Sequence, residues 1–211
     1  MPYSQFTLAA VRRDFGLTVG TSTDLFPAIP SPPPTDLLSA TLARNLPLAL
    51  AQNNEKARSE LLIAPVMAEL WSLSDYRLAV FSGVELNVDA ARSLTGVCDF
   101  VVARPPQVEP VGPPIVVVVE AKKEDIPSGY GQCAAEMIAA QELNRRAATG
   151  QEAVYGCVST GSEWRFLRLA AAQLDIDIRV YLISDPARIL GILLAVCGFG
   201  PTPLHPRPDA K

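Results

Sequence analysis

The chain has 211 residues, of which 49% are hydrophobic and 19% charged, and its formal net charge is −4. This balance is typical of a globular protein and excludes a disordered, strongly charged chain. The length suits one domain with a full hydrophobic core. Because the net charge is negative, no overall positive field draws nucleic acid to the surface, so any contact with DNA must be local.

The cysteines and the apolar segments indicate the cellular compartment of the protein. The cysteines are widely spaced and form no CxxC pair, so we interpret all four as reduced: Cys98, Cys133, Cys157 and Cys197. Residues 1–20 lack the basic-then-apolar layout of a signal peptide. No segment reaches the ~20 apolar residues of a membrane span. The sequence therefore predicts a cytoplasmic protein with no membrane contact.

The only histidine, His205, lies in a proline-rich tail whose composition favours no regular structure. Catalytic triads and histidine-based zinc sites need an imidazole held in a rigid pocket. The sequence therefore excludes these classes of site, and any chemistry has to rely on carboxylates, lysine and a metal ion.

Hydrophobic periodicity and turn signals divide the chain into three regions and predict their elements. The regions are an N-terminal helical and proline-rich extension packed on the core (1–53), an α/β core (54–200) and a flexible proline-rich tail (201–211). The predicted elements are a helix at 36–50, a helix at 54–73 kinked at Pro65, strands at 78–88, 97–103 and 115–119, a helix at 128–146, strands at 153–160, 163–169 and 174–183, and a helix at 185–197. This order is typical of an α/β layer fold with a mixed sheet.

The strand at 115–119 is an isoleucine followed by four valines, which indicates a strand buried on both faces at the centre of the sheet. We expect Val117, Val119 and Ala121 to pack under the helix at 128–146. Glu120 and Lys122 follow this strand and point to the same side, because side chains alternate along a strand. A buried strand that ends in two such charges has entered either a cleft or solvent.

Asp99 lies on the preceding strand and brings a second carboxylate beside Glu120 if the two strands are neighbours. Two converging carboxylates repel each other, and a hard divalent cation such as Mg²⁺ or Mn²⁺ relieves the repulsion. Such an ion lowers the pKa of a bound water and stabilises charge on a phosphoryl oxygen. We therefore expect both carboxylates within joint reach of one ion, with Lys122 in the same cleft to neutralise the transition state.

Asp99 followed by Glu120-Ala121-Lys122 resembles the PD-(D/E)XK motif of restriction-type nucleases, and the likeness covers roughly residues 57–170. In that superfamily the helix before the sheet often supplies another acid, as Glu60 does here. The helix after the Glu-x-Lys strand commonly carries a glutamine near its start, which is similar to Gln132. The proline that gives the motif its name is missing before Asp99.

Two further likenesses are less specific. Residues 160–166 resemble, with inexact spacing, a segment in the nuclease domains of type I restriction motor subunits. The layout is also similar to that of a small uncharacterised family of bacterial, including cyanobacterial, proteins. The second likeness names no activity.

The resemblance implies a restriction-endonuclease-like mixed β-sheet flanked by helices, and a Mg²⁺- or Mn²⁺-dependent endonuclease that hydrolyses DNA. The implied metal ligands are Glu60, Asp99 and Glu120, and the implied catalytic residues are Asp99, Glu120, Lys122 and Gln132. The alternative is a catalytically inactive PD-(D/E)XK-like module that binds a protein or nucleic-acid partner, which the acidic net charge favours. A plain α/β domain with a structural charged strand end is the third hypothesis, and the choice between monomer and homodimer stays open.

Overall fold

A computed structural model of the chain describes residues 2–104 and 110–199. It is a mixed α/β fold in which helices cover both faces of an eight-stranded sheet. The helices are α1 (Leu8–Asp14), α2 (Asp36–Gln52), α3 (Glu55–Arg58), α4 (Ala64–Leu73), α5 (Ile126–Arg146) and α6 (Pro186–Val196). The strands are β1 (Thr18–Gly20), β2 (Ala79–Glu85), β3 (Val97–Ala103), β4 (Ile115–Ala121), β5 (Ala153–Ser159), β6 (Glu163–Ala170), β7 (Gln173–Ile176) and β8 (Tyr181–Leu182).

The strands follow the order β1-β7-β6-β5-β4-β3-β2, and β8 also pairs with β6. Strands β2, β3 and β4 form an antiparallel meander, after which α5 crosses the sheet and leads to β5, which is parallel to β4. Strands β6 and β7 continue antiparallel, and β1 joins the edge parallel to β7. The predicted α/β class with a mixed sheet is confirmed, and residues before 54 contribute both β1 and α2 to the structure.

Two hydrophobic layers cover the sheet. One layer lies between the sheet and α2, α4 and α6, and the other lies between the sheet and α5 with the N-terminal segment. Val117, Val119 and Ala121 belong to the first layer, whereas Val118 packs in the α5 layer. Their expected burial is confirmed, but their expected position under the helix at 128–146 is wrong. Because β4 is apolar on both faces, its sequence pattern does not say which face meets which helix.

The predicted strand at 174–183 is wrong as a continuous element. The chain bends at Asp177, whose buried carboxylate accepts hydrogen bonds from the backbone N–H of Leu25 and Arg179 and from the Tyr181 hydroxyl, at 3.4, 3.0 and 2.8 Å. These contacts end β7 at Ile176 and begin β8 at Tyr181. The apolar alternation continues through the bend, which is why the pattern alone predicts one strand.

Helix α3 continues through a π-helical turn (Ser59–Ile63) into α4, so the predicted helix at 54–73 is present with a local irregularity. Pro65 has no N–H to donate to the carbonyl of Leu61 four residues earlier. The side-chain amide of Asn45 on α2 donates to that carbonyl instead, at 3.0 Å. This bond compensates for the proline and joins α2 to the helix that follows it.

The C-terminal part of α5 is tied to the beginning of β4 by one buried side chain. Asn144 is 2% exposed, and its amide donates to the carbonyl of Ile115 at 2.7 Å and accepts from the Ile115 N–H at 2.8 Å. A side-chain amide thus satisfies both backbone groups of a buried residue, as a neighbouring strand would.

Other expectations concern the cysteines, the tail and the membrane. All four cysteines are free and buried, as expected for thiols that act as small core residues. The tail at 201–211, with His205, lies outside the described residues. Within residues 2–104 and 110–199, no helix is long and apolar enough to cross a membrane.

Candidate functional site

Three polar side chains meet at the end of β4, and we call them the Glu120 cluster: Glu120, Lys122 and Gln132. Glu120 is only 1% exposed, and both of its carboxylate oxygens accept hydrogen bonds. Oε1 accepts from the Lys122 ammonium, and Oε2 accepts from the Gln132 amide at 2.8 Å. The Gln132 carbonyl oxygen in turn accepts from Lys122 at 3.3 Å. Glu120 and Lys122 share one side of the strand end, as the alternation of strand side chains predicts.

Close packing of α5 on the strands positions this cluster. A Cβ atom at Gly129 would lie 2.6 Å from Val158 and 3.2 Å from the side chain of Lys122. The missing side chain at Gly129 therefore lets the first turn of α5 approach β5 and lets the Lys122 stem lie against the helix. Gln132 follows three residues later, which places its amide over the Glu120 carboxylate.

Asp99 reaches the same strand end from β3, where the strand bends. Cys98 and Val101 both pack in the α5 layer although they are three residues apart, so the alternation of faces is interrupted at Asp99. On β2, Gly83 lies between Ser82 and Val84, which pair with Phe100 and Cys98 on either side of Asp99. Gly83 has a φ of +63°, which favours glycine. Asp99 Oδ2 accepts from the backbone N–H of Ala121 at 2.7 Å, so the carboxylate is attached directly to β4 beside Glu120.

The residue Asp99 also lines a cavity of about 300 Å³, which we call the Asp99 cavity. Its other lining residues come from β2 and from the helix before it: Glu55, Lys56, Ser59, Glu60, Ser82 and Gly83. Glu60, the predicted outer metal ligand, is exposed and forms an ion pair with Lys56 at 2.7 Å. The structure therefore places Glu60 in the same cavity as Asp99, while the contacts of Glu120 are with Lys122 and Gln132.

Burial and neighbouring charge set the protonation of the Glu120 cluster. Burial and then the negative charge of Asp99 raise the pKa of Glu120 to about 8, and the Lys122 ammonium only partly opposes this. Burial acts to lower the pKa of Lys122, but the Glu120 carboxylate outweighs it and the net pKa is raised. Glu55, from the Asp99 cavity, also acts on both groups. The charges that line the cavity and those of the cluster therefore act on one another.

Glu136, one helical turn after Gln132 on α5, is a neighbour of the Glu120 cluster that the sequence analysis missed. It is fully buried, and its Oε1 accepts from the Gln132 amide at 3.2 Å. Burial and then the charge of Glu120 raise its pKa well above the ordinary value. The spacing of four residues from Gln132 is the signal that could have found it, since such residues share one helix face.

Asp99, Glu120 and Glu60 carry carboxylate oxygens, which are the ligands that Mg²⁺ and Mn²⁺ prefer. In the described parts of the chain, however, no three His, Cys, Asp or Glu side chains are grouped so that they could hold a metal ion. The donor set fits a hard cation held by one or two carboxylates, and water would have to supply its other ligands.

Comparisons with protein-family models, with curated proteins and with solved structures give no match to this chain. The chemistry of the site therefore has to be argued from its own residues. Those residues are a buried carboxylate paired with an ammonium, a second carboxylate on the adjacent strand, and an amide that contacts both members of the pair.

Proposed function

We propose that this protein is a Mg²⁺- or Mn²⁺-dependent phosphodiesterase that hydrolyses DNA. The observation that carries the proposal is the Glu120 cluster at the end of a buried strand, with the Asp99 carboxylate bonded to the next backbone N–H. A solvated surface pair would not need a glutamate that is 1% exposed. Buried, mutually perturbed charged groups next to a cavity are typical of functional sites.

The topology supports the finer fold assignment that the proposal includes, a restriction-endonuclease-like sheet. A helix precedes three antiparallel strands, α5 crosses the sheet, and β5 returns parallel to β4. In this arrangement the Asp99 and Glu120 strands are direct neighbours, and α5 delivers Gln132 to the strand end. These are the placements that the resemblance to PD-(D/E)XK nucleases implies for the three residues.

Each residue has a role in the proposed reaction. Asp99 and Glu120 would hold the cation directly, and Glu60, which lines the Asp99 cavity, would be an outer ligand. When bound, the cation supplies charge stabilisation at the phosphoryl oxygens and lowers the pKa of a water. Lys122 orients the attacking water and neutralises the charge that develops on the phosphoryl group. Gln132 holds the Glu120 carboxylate and the Lys122 ammonium in a fixed relation.

A second candidate function is a catalytically inactive module that binds a protein or nucleic-acid partner. The observation that favours it is that both carboxylate oxygens of Glu120 already accept a hydrogen bond, one from Lys122 and one from Gln132. Burial and the charge of Asp99 also raise the pKa of Glu120, and a protonated Glu120 would have to lose its proton before it could ligate a cation. An inactive module would retain the cluster as a stabilising network and would bind no metal.

Titration with Mn²⁺ by calorimetry and cleavage of single- and double-stranded DNA separate the two candidates. Lys122→Met keeps the aliphatic stem and removes the ammonium, so it should bind Mn²⁺ but cleave DNA about two orders of magnitude more slowly. Glu120→Gln should lose both properties. Lys123→Met, the same change at an exposed neighbour, is the control and should leave cleavage at the wild-type rate.

The outcomes distinguish the functions directly. If the wild type shows neither saturable Mn²⁺ heat nor cleavage with Mg²⁺ or Mn²⁺, the enzyme proposal fails and the inactive module takes its place. If wild type and Lys122→Met cleave equally well, the activity belongs to another site and the role assigned to Lys122 is wrong.

A further inference from the structure

Glu136 has an environment that packing alone does not account for. It lies on the side of α5 that faces the sheet. A negative charge on Glu136 acts to raise the pKa of the Tyr3 phenol and of the Cys98 and Cys133 thiols. Among residues 2–104 and 110–199, its Oε2 has no hydrogen-bond donor although the side chain is fully buried. A buried carboxyl oxygen without a donor destabilises a fold, and an apolar side chain of similar size would avoid that cost.

The hydrogen bonds of Gln132 indicate what Glu136 does. A glutamine amide nitrogen has two hydrogens to donate, and its carbonyl oxygen only accepts. In Gln132 the nitrogen donates to Glu120 Oε2 at 2.8 Å and to Glu136 Oε1 at 3.2 Å. The amide oxygen is then left on the other side, where it accepts from the Lys122 ammonium at 3.3 Å.

The orientation of this amide matters because its two ends are nearly the same in shape but opposite in hydrogen-bonding character. If the amide rotated by half a turn, its nitrogen would face the Lys122 ammonium, and two donors would meet. Its oxygen would face Glu120 Oε2 and Glu136 Oε1, and these two carboxyl oxygens would lose the nitrogen donor that they have in the observed orientation. Glu136 is the second acceptor of the Gln132 nitrogen, and it lies one turn further along the same helix.

We propose that Glu136 is a positioning residue that locks the Gln132 amide so that Gln132 holds Glu120 through its nitrogen and Lys122 through its oxygen. Glu136 acts through Gln132 and contacts no substrate. The inference rests on the proposed function for its catalytic consequence, but the orientation of the amide is measurable without any activity.

The test uses the full chain with Glu136→Leu and Glu136→Gln. The side-chain amide of Gln132 is observed by ¹⁵N NMR in the metal-free protein, and Gln132→Met identifies its signals. Glu136→Leu removes the acceptor, so the two amide proton signals should move and exchange faster with water. Glutamine at 136 can still accept through its own amide oxygen, so Glu136→Gln should restore the wild-type signals.

With Mg²⁺ and DNA, Glu136→Leu should lower kcat by about tenfold or more while KM for DNA stays unchanged, the pattern expected of a residue that orients a catalytic group. Glu136→Gln should recover most of kcat. Glu142→Leu, a glutamate of the same helix whose partners are Arg145 and Arg146, controls for general effects on α5 and should leave both readouts unchanged.

Each outcome either supports or overturns the inference. Unchanged Gln132 signals in Glu136→Leu overturn it, and so does a moved signal with an unchanged kcat in a cleaving wild type. If the wild type does not cleave DNA but the signals move and Glu136→Gln restores them, the proposed function fails while the locking of Gln132 by Glu136 stands.

Discussion

Replacing Glu120 with glutamine should change how the stability of the metal-free protein depends on pH. Burial and the charge of Asp99 raise the pKa of Glu120 from 4.5 to about 8 in the folded chain. The unfolded chain has the ordinary value, so the folded state holds this proton more tightly. The stability that protonated Glu120 contributes is therefore fully present below pH 4.5 and is lost as the pH rises toward 8.

The size of the effect follows from the two pKa values. Between them, each rise of one pH unit removes about 1.4 kcal/mol from the free energy of unfolding of the wild type. From pH 5 to pH 7 the stability of the wild type relative to Glu120→Gln should therefore fall by roughly 2–3 kcal/mol, because glutamine has no proton to release at position 120 and the other titrating groups are common to both proteins. The charged groups that interact electrostatically with residue 120 are present in both proteins. They are Asp99 on β3, Lys122 just after β4, Glu55 on α3 and Glu136 on α5.

The measurement is urea unfolding followed by tryptophan fluorescence, in a chelator, at several pH values from 5 to 8. Glu142→Gln is the matched control because hydrogen bonds from Arg145 and then Arg146 hold the pKa of Glu142 at about 2. Glu142 is thus ionised over the whole range, and its replacement should shift stability by a constant amount. If the difference between Glu120→Gln and the wild type is also constant from pH 5 to pH 8, Glu120 is already ionised in the folded chain and the reasoning is wrong.

Three further predictions concern packing and binding. Asn144→Ala should lower the free energy of unfolding by about 2–4 kcal/mol, because two buried backbone groups of Ile115 lose their partner; a loss below 1 kcal/mol in urea unfolding would contradict this. Gly129→Ala should cost about 1–3 kcal/mol, since the new methyl group overlaps Val158, and should also slow DNA cleavage by displacing Lys122; unchanged stability would show that the helix moves away freely. Binding of DNA, measured by fluorescence anisotropy, should be weak in a chelator and should fall steeply with salt, because the net charge is −4; tight, salt-insensitive binding would contradict the metal-bridged contact.

Local sequence signals predicted the centre of the structure. The local sequence was enough to predict the valine run of β4 and the boundaries of β3. Branched apolar residues bounded by glycine and proline favour a strand, whatever its partner is. The pairing of Glu120 with Lys122 followed from the alternation of strand side chains. The position of Gln132 followed from the resemblance to PD-(D/E)XK nucleases, and the structure places its amide on Glu120.

Features that depend on distant contacts could not be predicted. Strand β1 has only three residues and exists because β7 offers a partner more than 150 residues later. The bend at Asp99 lies beside Gly83 on the neighbouring strand, and the break at Asp177 needs Leu25 and Tyr181. Glu136 was missed because a glutamate on a helix is usually exposed, and only the folded chain shows that this one is fully buried.

The two ends of β4 are both fastened to the same helix. Asn144, near the C-terminal end of α5, is hydrogen-bonded to the backbone of Ile115, where the strand begins. Gln132, near the N-terminal end of α5, donates a hydrogen bond to Glu120, where the strand ends. A strand and a helix that are hydrogen-bonded at two distant points cannot move along each other without breaking one of these sets of hydrogen bonds. A change at Asn144 can therefore be transmitted along α5 to the contact between Gln132 and Glu120, although Asn144 is far from the Asp99 cavity.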